Sequence, residues 1–119
     1  MKSTELRIGN IIEFFDSELG FSNIVVDADT IKNVQYHNDD EFDNMDNYYN
    51  AIPLTEEWLV KFGFEKVNGY GYKIFGNWLQ KEDGIFWYNV NGNFIEIKSV
   101  HQLQNLYHAL TGEELTIKS

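Results

Sequence analysis

Apolar positions fall in short runs broken by turn residues along most of the chain, and at helical spacing in two places. Leu6, Ile8, Ile11, Ile12 and Phe14 surround Gly9-Asn10, which predicts a first strand carrying a bulge or bend. Phe21 to Val26 predicts a second strand. Thr30 to Tyr36 sets Ile31, Asn33 and Gln35 against Lys32, Val34 and Tyr36, an alternation that predicts a third. Three short strands with sharp bends point to a small open barrel or a curled sheet. Residues 37–52 interrupt the pattern: acidic, rich in Asn, and favouring turns over regular structure, they read as a long loop.

The first helical pattern follows at once. Thr55 stands at an N-cap, Glu56 and Glu57 in the first turn, and Lys61 in the last. Leu54 and Leu59 have the spacing of a hydrophobic staple, and Gly63 with Phe64 the pattern of a left-handed C-terminal cap. Trp58, Leu59 and Phe62 make the face to be buried. Beyond it, Asn68-Gly69, Gly76-Asn77, Asp83-Gly84 and Asn91-Gly92 recur every seven to nine residues between aromatic and β-branched runs, the mark of an antiparallel meander. Val100, Leu103, Leu106, Tyr107 and Leu110 then form the apolar stripe of a second helix. Ser99 and Gln102 lie at capping-box spacing, and Gly112 ends it. Leu115 to Ile117 predicts a final strand. The fold class is α+β: short N-terminal strands, helix, meander, helix, strand. At 119 residues the chain reads as a single domain, with a β-rich lobe over 1–36, an acidic loop over 37–52 and a helix–meander–helix–strand lobe over 53–119.

Charge changes this picture most. Nine Lys+Arg stand against nineteen Asp+Glu, a formal charge of -10. Residues 1–60 hold thirteen of the acids and three of the bases, whereas 61–119 hold six of each. A surface so acidic repels phosphate backbones and speaks against direct nucleic-acid binding. The absence of Cys removes disulfides and thiolate chemistry. The charged opening residues lack the apolar core of a secretory signal, and no run is long enough to span a membrane, so a soluble protein of the host-cell cytoplasm is expected.

Three segments carry a resemblance. Residues 53–64, PLTEEWLVKFGF, and 100–115, VHQLQNLYHALTGEEL, together with the opening Glu5-Leu6-Arg7-Ile8-Gly9-Asn10, resemble the signatures of a family of small proteins. That family is encoded by phages, prophages and mobile elements of Bacteroidetes-type bacteria. The resemblance covers about a third of the chain and implies a phage-type context. It implies no activity, cofactor or catalytic residue.

Several residue patterns match a known chemistry in part, and each also has a plainer reading. Asp83 followed by Glu96-Ile97-Lys98 has the order of a PD-(D/E)xK nuclease, in which carboxylates hold Mg²⁺ and the lysine orients water. Against it, Asp83 has a local role in an Asp-Gly turn, and Glu96 and Lys98 alternate with Ile95 and Ile97 as on any strand with one wet face. Asp39, Glu41 and Asp43 match the first ligands of a calcium loop, but the closing bidentate Glu falls on Asn50. His101 and His108 are seven apart, too far to chelate one ion, and with Gln104 and Asn105 read as the polar face of the second helix. No metal or cofactor site is therefore expected. Aromatics exceed what the core easily takes, and adjacent pairs such as Trp87-Tyr88 must point to opposite faces of a strand, leaving some exposed.

The leading expectation is a non-enzymatic phage-type module that docks on a basic, nucleic-acid-binding surface of a host or phage protein. An inhibitor of a CRISPR effector or of another defence system is one concrete version. Its docking residues would be Asp39, Asp40, Glu41, Phe42, Asp43, Asp46, Tyr48 and Tyr49, aromatic anchors ringed by carboxylates. The alternatives are a small phage accessory or adaptor protein with no relation to nucleic acid, and the Mg-dependent nuclease using Asp83, Glu96 and Lys98.

Overall fold

A computed structural model describes residues 5–16, 18–38, 49–69 and 71–118. The element order is β1 (Ile11–Asp16), β2 (Gly20–Val25), α1 (Ala28–Asn38), β3 (Tyr49–Asn50), α2 (Glu56–Lys61), β4 (Glu65–Lys66), β5 (Gly71–Ile74), β6 (Asn77–Glu82), β7 (Ile85–Val90), β8 (Asn93–Ile97) and α3 (Val100–Thr111). The fold is α+β, with open sheets instead of a closed barrel. Two compact units are present: residues 1–52 with 100–114, and 53–99 with 115–119.

In the first unit β1 pairs antiparallel with β2 and with the two-residue β3, in the order β2-β1-β3. The bend expected at Gly9-Asn10 is a β-turn. The Asn10 amide donates to the Arg7 carbonyl at 3.1 Å, and Gly9 sits at φ +100, a backbone state that glycine adopts without the Cβ penalty. Leu6, Ile12, Val26 and Tyr49 form the buried cluster of this unit, with Phe14, Ile24 and Ile31 packed against it. Helix α3 lies against β1 and buries Val100, Leu103 and Tyr107.

The expected strand over Thr30–Tyr36 is instead α1. The Asp27 carboxylate accepts from both the amide and the hydroxyl of Thr30 at 2.8 Å, and Ile31 N–H donates to the Asp27 carbonyl, so the turn before the segment starts a helix. These contacts hold the Asp27 carboxyl below its usual range, the Thr30 amide contributing most. An N-cap outweighed a run of alternation that β-branched Ile31 and Val34 had made look strand-like.

In the second unit β4 to β8 form a consecutive antiparallel meander. Helix α2 ends as its sequence predicts. The Gly63 amide donates to Val60 O and the Phe64 amide to Leu59 O, both at 3.0 Å, with Gly63 at φ +94: a complete Schellman closure. Leu54, Trp58, Leu59, Phe62 and Phe64 are buried, and across the sheet so are Tyr72, Ile74, Leu79, Phe86, Tyr88 and Ile97. At the start of α2, Thr55 occupies the N-cap position without a side-chain capping bond.

Two details of the meander differ from expectation. The β5–β6 turn is Phe75-Gly76 (φ +45 and +81), so Asn77 opens β6, because the register Ile74↔Asn77 leaves only those two residues between the strands. No strand forms over 115–117. That stretch buries Leu115, and the Lys118 amide donates to Lys61 O in α2 at 2.7 Å.

Candidate functional site: an acidic unit and its buried polar clamp

Division into units separates the charge completely. The unit formed by 1–52 and 100–114 contains thirteen Asp and Glu against Lys2, Arg7 and Lys32; the other contains six acids and six bases. Internal pairing cannot cancel an excess of that size. Of the acids among the described residues of the first unit, Glu5, Glu18, Asp27, Asp29, Glu113 and Glu114 are exposed, and Glu13 and Asp16 are half-buried. Asp16 and Asp27 also have local duties. Asp16 accepts from the Glu18 and Leu19 amides at 2.8 and 3.1 Å to shape the β1–β2 turn, and Asp27 caps α1.

Asp39, Asp40, Glu41, Phe42, Asp43, Asp46 and Tyr48 lie outside the described residues. Tyr49 does not, and it is core rather than docking surface. It is only 6% exposed, pairs with Phe14 across β3–β1, and stacks on the Phe14 ring at 5.1 Å between centroids.

A side-chain network joins the opening segment to helix α3. Helix α3 presents Gln104 and Asn105 to the opening turn. The Ile11 amide donates to Gln104 Oε1 at 2.7 Å, and Gln104 Nε2 donates to the Gly9 carbonyl at 3.1 Å. Asn105 Oδ1 accepts from Arg7 Nη1 and from Asn10 Nδ2, each at 2.8 Å, while Asn105 Nδ2 donates to the Glu5 carbonyl at 2.8 Å. Asn10 Oδ1 in turn takes the Arg7 amide at 2.7 Å. Arg7 also forms an ion pair with Glu114 Oε1, and His108 Nε2 lies 3.9 Å from the same oxygen. Asn10 and Gln104 are fully buried.

Much of the helix face read as polar is therefore internal, with His101 and Gln104 buried and His108 at its exposed edge. His101, Gln104, Asn105 and His108 share one face by their i, i+3, i+4 and i+7 spacing, and that face packs on the opening segment. His101 is 4% exposed, and burial pushes its imidazole below the ordinary value, opposed by the Glu5 carboxylate. Every polar atom of this network that the contacts describe is spent on the backbone or on another member. Its chemistry is that of a clamp, and the Leu-Arg-Ile-Gly-Asn and Gln-Leu-Gln-Asn segments carry structural information. In the sequence, the single signal for it was polar residues recurring at helical spacing beside an Arg-x-Gly-Asn turn.

The residues of the nuclease reading take these places in the meander. Asp83 is the first residue of the β6–β7 turn at φ +53, beyond the Ile85 end of β7. Glu96 pairs with Trp87, two residues inward from Ile85, and Lys98 lies past the end of β8 with its carbonyl engaged by the Leu54 amide. Among the described residues no three His, Asp or Glu side chains converge in a way that could hold a metal ion. Also among them, no helix is long and apolar enough to cross a membrane.

A second polar group ties α2 to its sheet. The Glu56 carboxylate lies near the buried Tyr72 hydroxyl and pairs with Lys81 at 3.2 Å. Tyr72 and then Lys81 hold the Glu56 carboxyl below its usual range, while burial and the facing carboxylate push the Tyr72 phenol up to about 12.

Comparison with protein-family models, curated proteins and solved structures yields no match.

Proposed function

We propose that this chain is a non-enzymatic protein-binding module that docks through its acidic unit on a basic surface of a partner protein, the kind of surface that otherwise holds nucleic acid. The observation that supports this most is the coincidence of charge with architecture: the net -10 of the chain belongs to one compact unit, while the other is neutral. Charge gathered in this way steers association and selects partners of opposite sign. The acidic segment 39–46 belongs to the same unit and adds five carboxylates together with Phe42. The resemblance of segments 53–64 and 100–115 to proteins of phages and mobile elements supports such a setting for the reading, and there blocking a nucleic-acid channel of a defence protein is one use for such a surface.

A pull-down from infected host lysate at two ionic strengths, followed by affinity measurement on the captured protein, tests the proposal. Affinity is expected to fall at least about tenfold as salt rises severalfold, since exposed charges are screened beyond roughly 8 Å at physiological ionic strength. Replacing Asp39, Asp40, Glu41 and Asp43 by Asn or Gln should weaken binding, and nucleic acid should compete. A partner held equally well at both salt concentrations, with nucleic acid without effect, would overturn the proposal in favour of an adaptor role.

A further inference from the structure

Strand β2 is an outer strand of the acidic unit's sheet. The order β2-β1-β3 gives it a partner on one side only among the described residues. Which of its backbone groups face outward follows from the pairing. The Val26 amide donates to the Asn10 carbonyl at 2.7 Å, and the Val26 carbonyl accepts from the Gly9 amide at 2.8 Å, so Val26 faces the opening turn and β1. Backbone groups alternate in direction along a strand, so those of Ile24 and Ser22 face β1 as well. Phe21, Asn23 and Val25 therefore present their N–H and C=O groups to the open side. Phe21 and Val25 are 67% and 64% exposed, and Ser22 and Asn23 are exposed too. Edge strands are ordinarily guarded against further pairing by charged residues, Pro, a bulge or shortness. The six residues of β2, Gly-Phe-Ser-Asn-Ile-Val, include no charge and no Pro, and they pair with β1 in unbroken register.

We propose that this edge receives an extended basic peptide of a partner protein, which adds to the sheet as an antiparallel strand beside β2. The proposal rests on the reading of the acidic unit as a docking surface and states how the partner is held there. A row of outward amides and carbonyls is matched by another extended backbone. Charge selects which one. Glu18 precedes β2, Asp27 and Asp29 follow it, and Glu13 stands in the row of Asn23, all within the unit that carries the net -10. Two copies of the chain pairing edge to edge would set that charge against itself, whereas a basic strand neutralises it.

Side chains narrow the pattern further. Cross-strand neighbours share a face, and Phe21 and Val25 lie on the face where Phe21 packs on Phe15 with ring centroids 4.8 Å apart. Peptide residues opposite Phe21 and Val25 are therefore apolar. The residue midway between them lies opposite Asn23, in line with Glu13, and is Lys or Arg.

Titration of the full chain, labelled with ¹⁵N, with the end-blocked peptide Lys-Val-Thr-Lys-Thr-Val-Lys tests this. Saturable shifts along β2 are expected, with the Phe21, Asn23 and Val25 amides exchanging hydrogen about tenfold or more slowly in the complex. N-methylation of both valines and the central lysine removes the peptide amides that face β2 and keeps the charge. It should weaken binding about tenfold or more. Asn23→Pro, which removes only an outward N–H, should do the same, with circular dichroism confirming that the variant is folded. The methylated peptide needs no change in the protein, so this arm is independent of how the variant folds. Equal binding of both peptides, or a complex in which the three amides exchange as freely as before, would overturn strand addition and leave acidic docking intact. A peptide with Glu in place of Lys that binds equally well would overturn the basic partner, and with it the charge argument for docking. No saturable binding of the basic peptide would overturn the proposal, as would a wild-type dimer in sedimentation velocity that Asn23→Pro converts to monomer.

Discussion

Gln104 is the side chain on which the clamp between α3 and the opening turn depends, and Gln104→Leu isolates its hydrogen bonds. Leucine fills nearly the same volume, so no cavity opens. What is lost is the acceptor for the Ile11 amide and the donor to the Gly9 carbonyl. Ile11 is 6% exposed and position 104 fully buried, so water does not replace the acceptor without disrupting the contact between α3 and β1. An orphaned buried amide costs about 1–3 kcal/mol, and the second bond adds about 0.5–1.5 kcal/mol. Together they predict a loss of about 2–4 kcal/mol, a large share of the ~5–15 kcal/mol that holds a domain of this kind together. Urea denaturation is the assay, and the molecule supplies two separate reporters. Trp58, Trp78 and Trp87 all belong to the meander unit, whereas α1 and α3, the two long helices, belong to the acidic unit. The midpoint followed by circular dichroism should fall with an unchanged slope. If tryptophan fluorescence shifts equally, the two units unfold together; if it does not, they unfold separately. A leucine variant within about 0.5 kcal/mol of wild type would refute the view that these bonds are needed.

Other positions give independent checks. Burial holds the His101 pKa below 6.5, so the unfolded chain takes the proton first. The stability this residue contributes is complete above pH 6.5 and is lost as pH falls below it; wild type should therefore lose stability relative to His101→Gln between pH 7 and 5, and parallel curves for the two would contradict this. Phe75 is held at φ +45 in a two-residue turn and is 81% exposed, so Phe75→Asn should raise stability by about 0.5–1 kcal/mol in the same denaturation assay, because asparagine tolerates the left-handed region. Gly71→Ala should cost about 1–2 kcal/mol and shift the Trp78 emission, since the new methyl would meet Trp78 at 3.3 Å and Asn68 Oδ1 at 3.0 Å.

Where the reading of the chain succeeded, the information was local. The Thr55–Phe64 helix with its glycine closure, the Asp83-Gly84 and Asn91-Gly92 turns and the strands between them depend on residues within a few positions of one another, and the structure has them all. Where it failed, two local signals competed or the deciding contact was remote. Alternation at Thr30–Tyr36 competed with the Asp27 cap and lost. The Phe75-Gly76 turn was displaced by one residue because strand register, not the asparagine after the glycine, sets where a hairpin turns.

The α+β class, the ends of α2 and α3, the meander and the uneven charge were all legible in the chain, being properties of short windows or of simple counting. Long-range packing set α3 against the N-terminal strands, about 90 residues away along the chain, and buried Gln104 and His101 of its polar face. It alone committed Tyr49 to the core and set Trp78, Trp87 and Phe94 on one face of a sheet. The physical reason is the same in each case. A side chain's role depends on what lies across from it, and pairing register and helix docking bring together residues whose separation along the chain carries no trace of the contact.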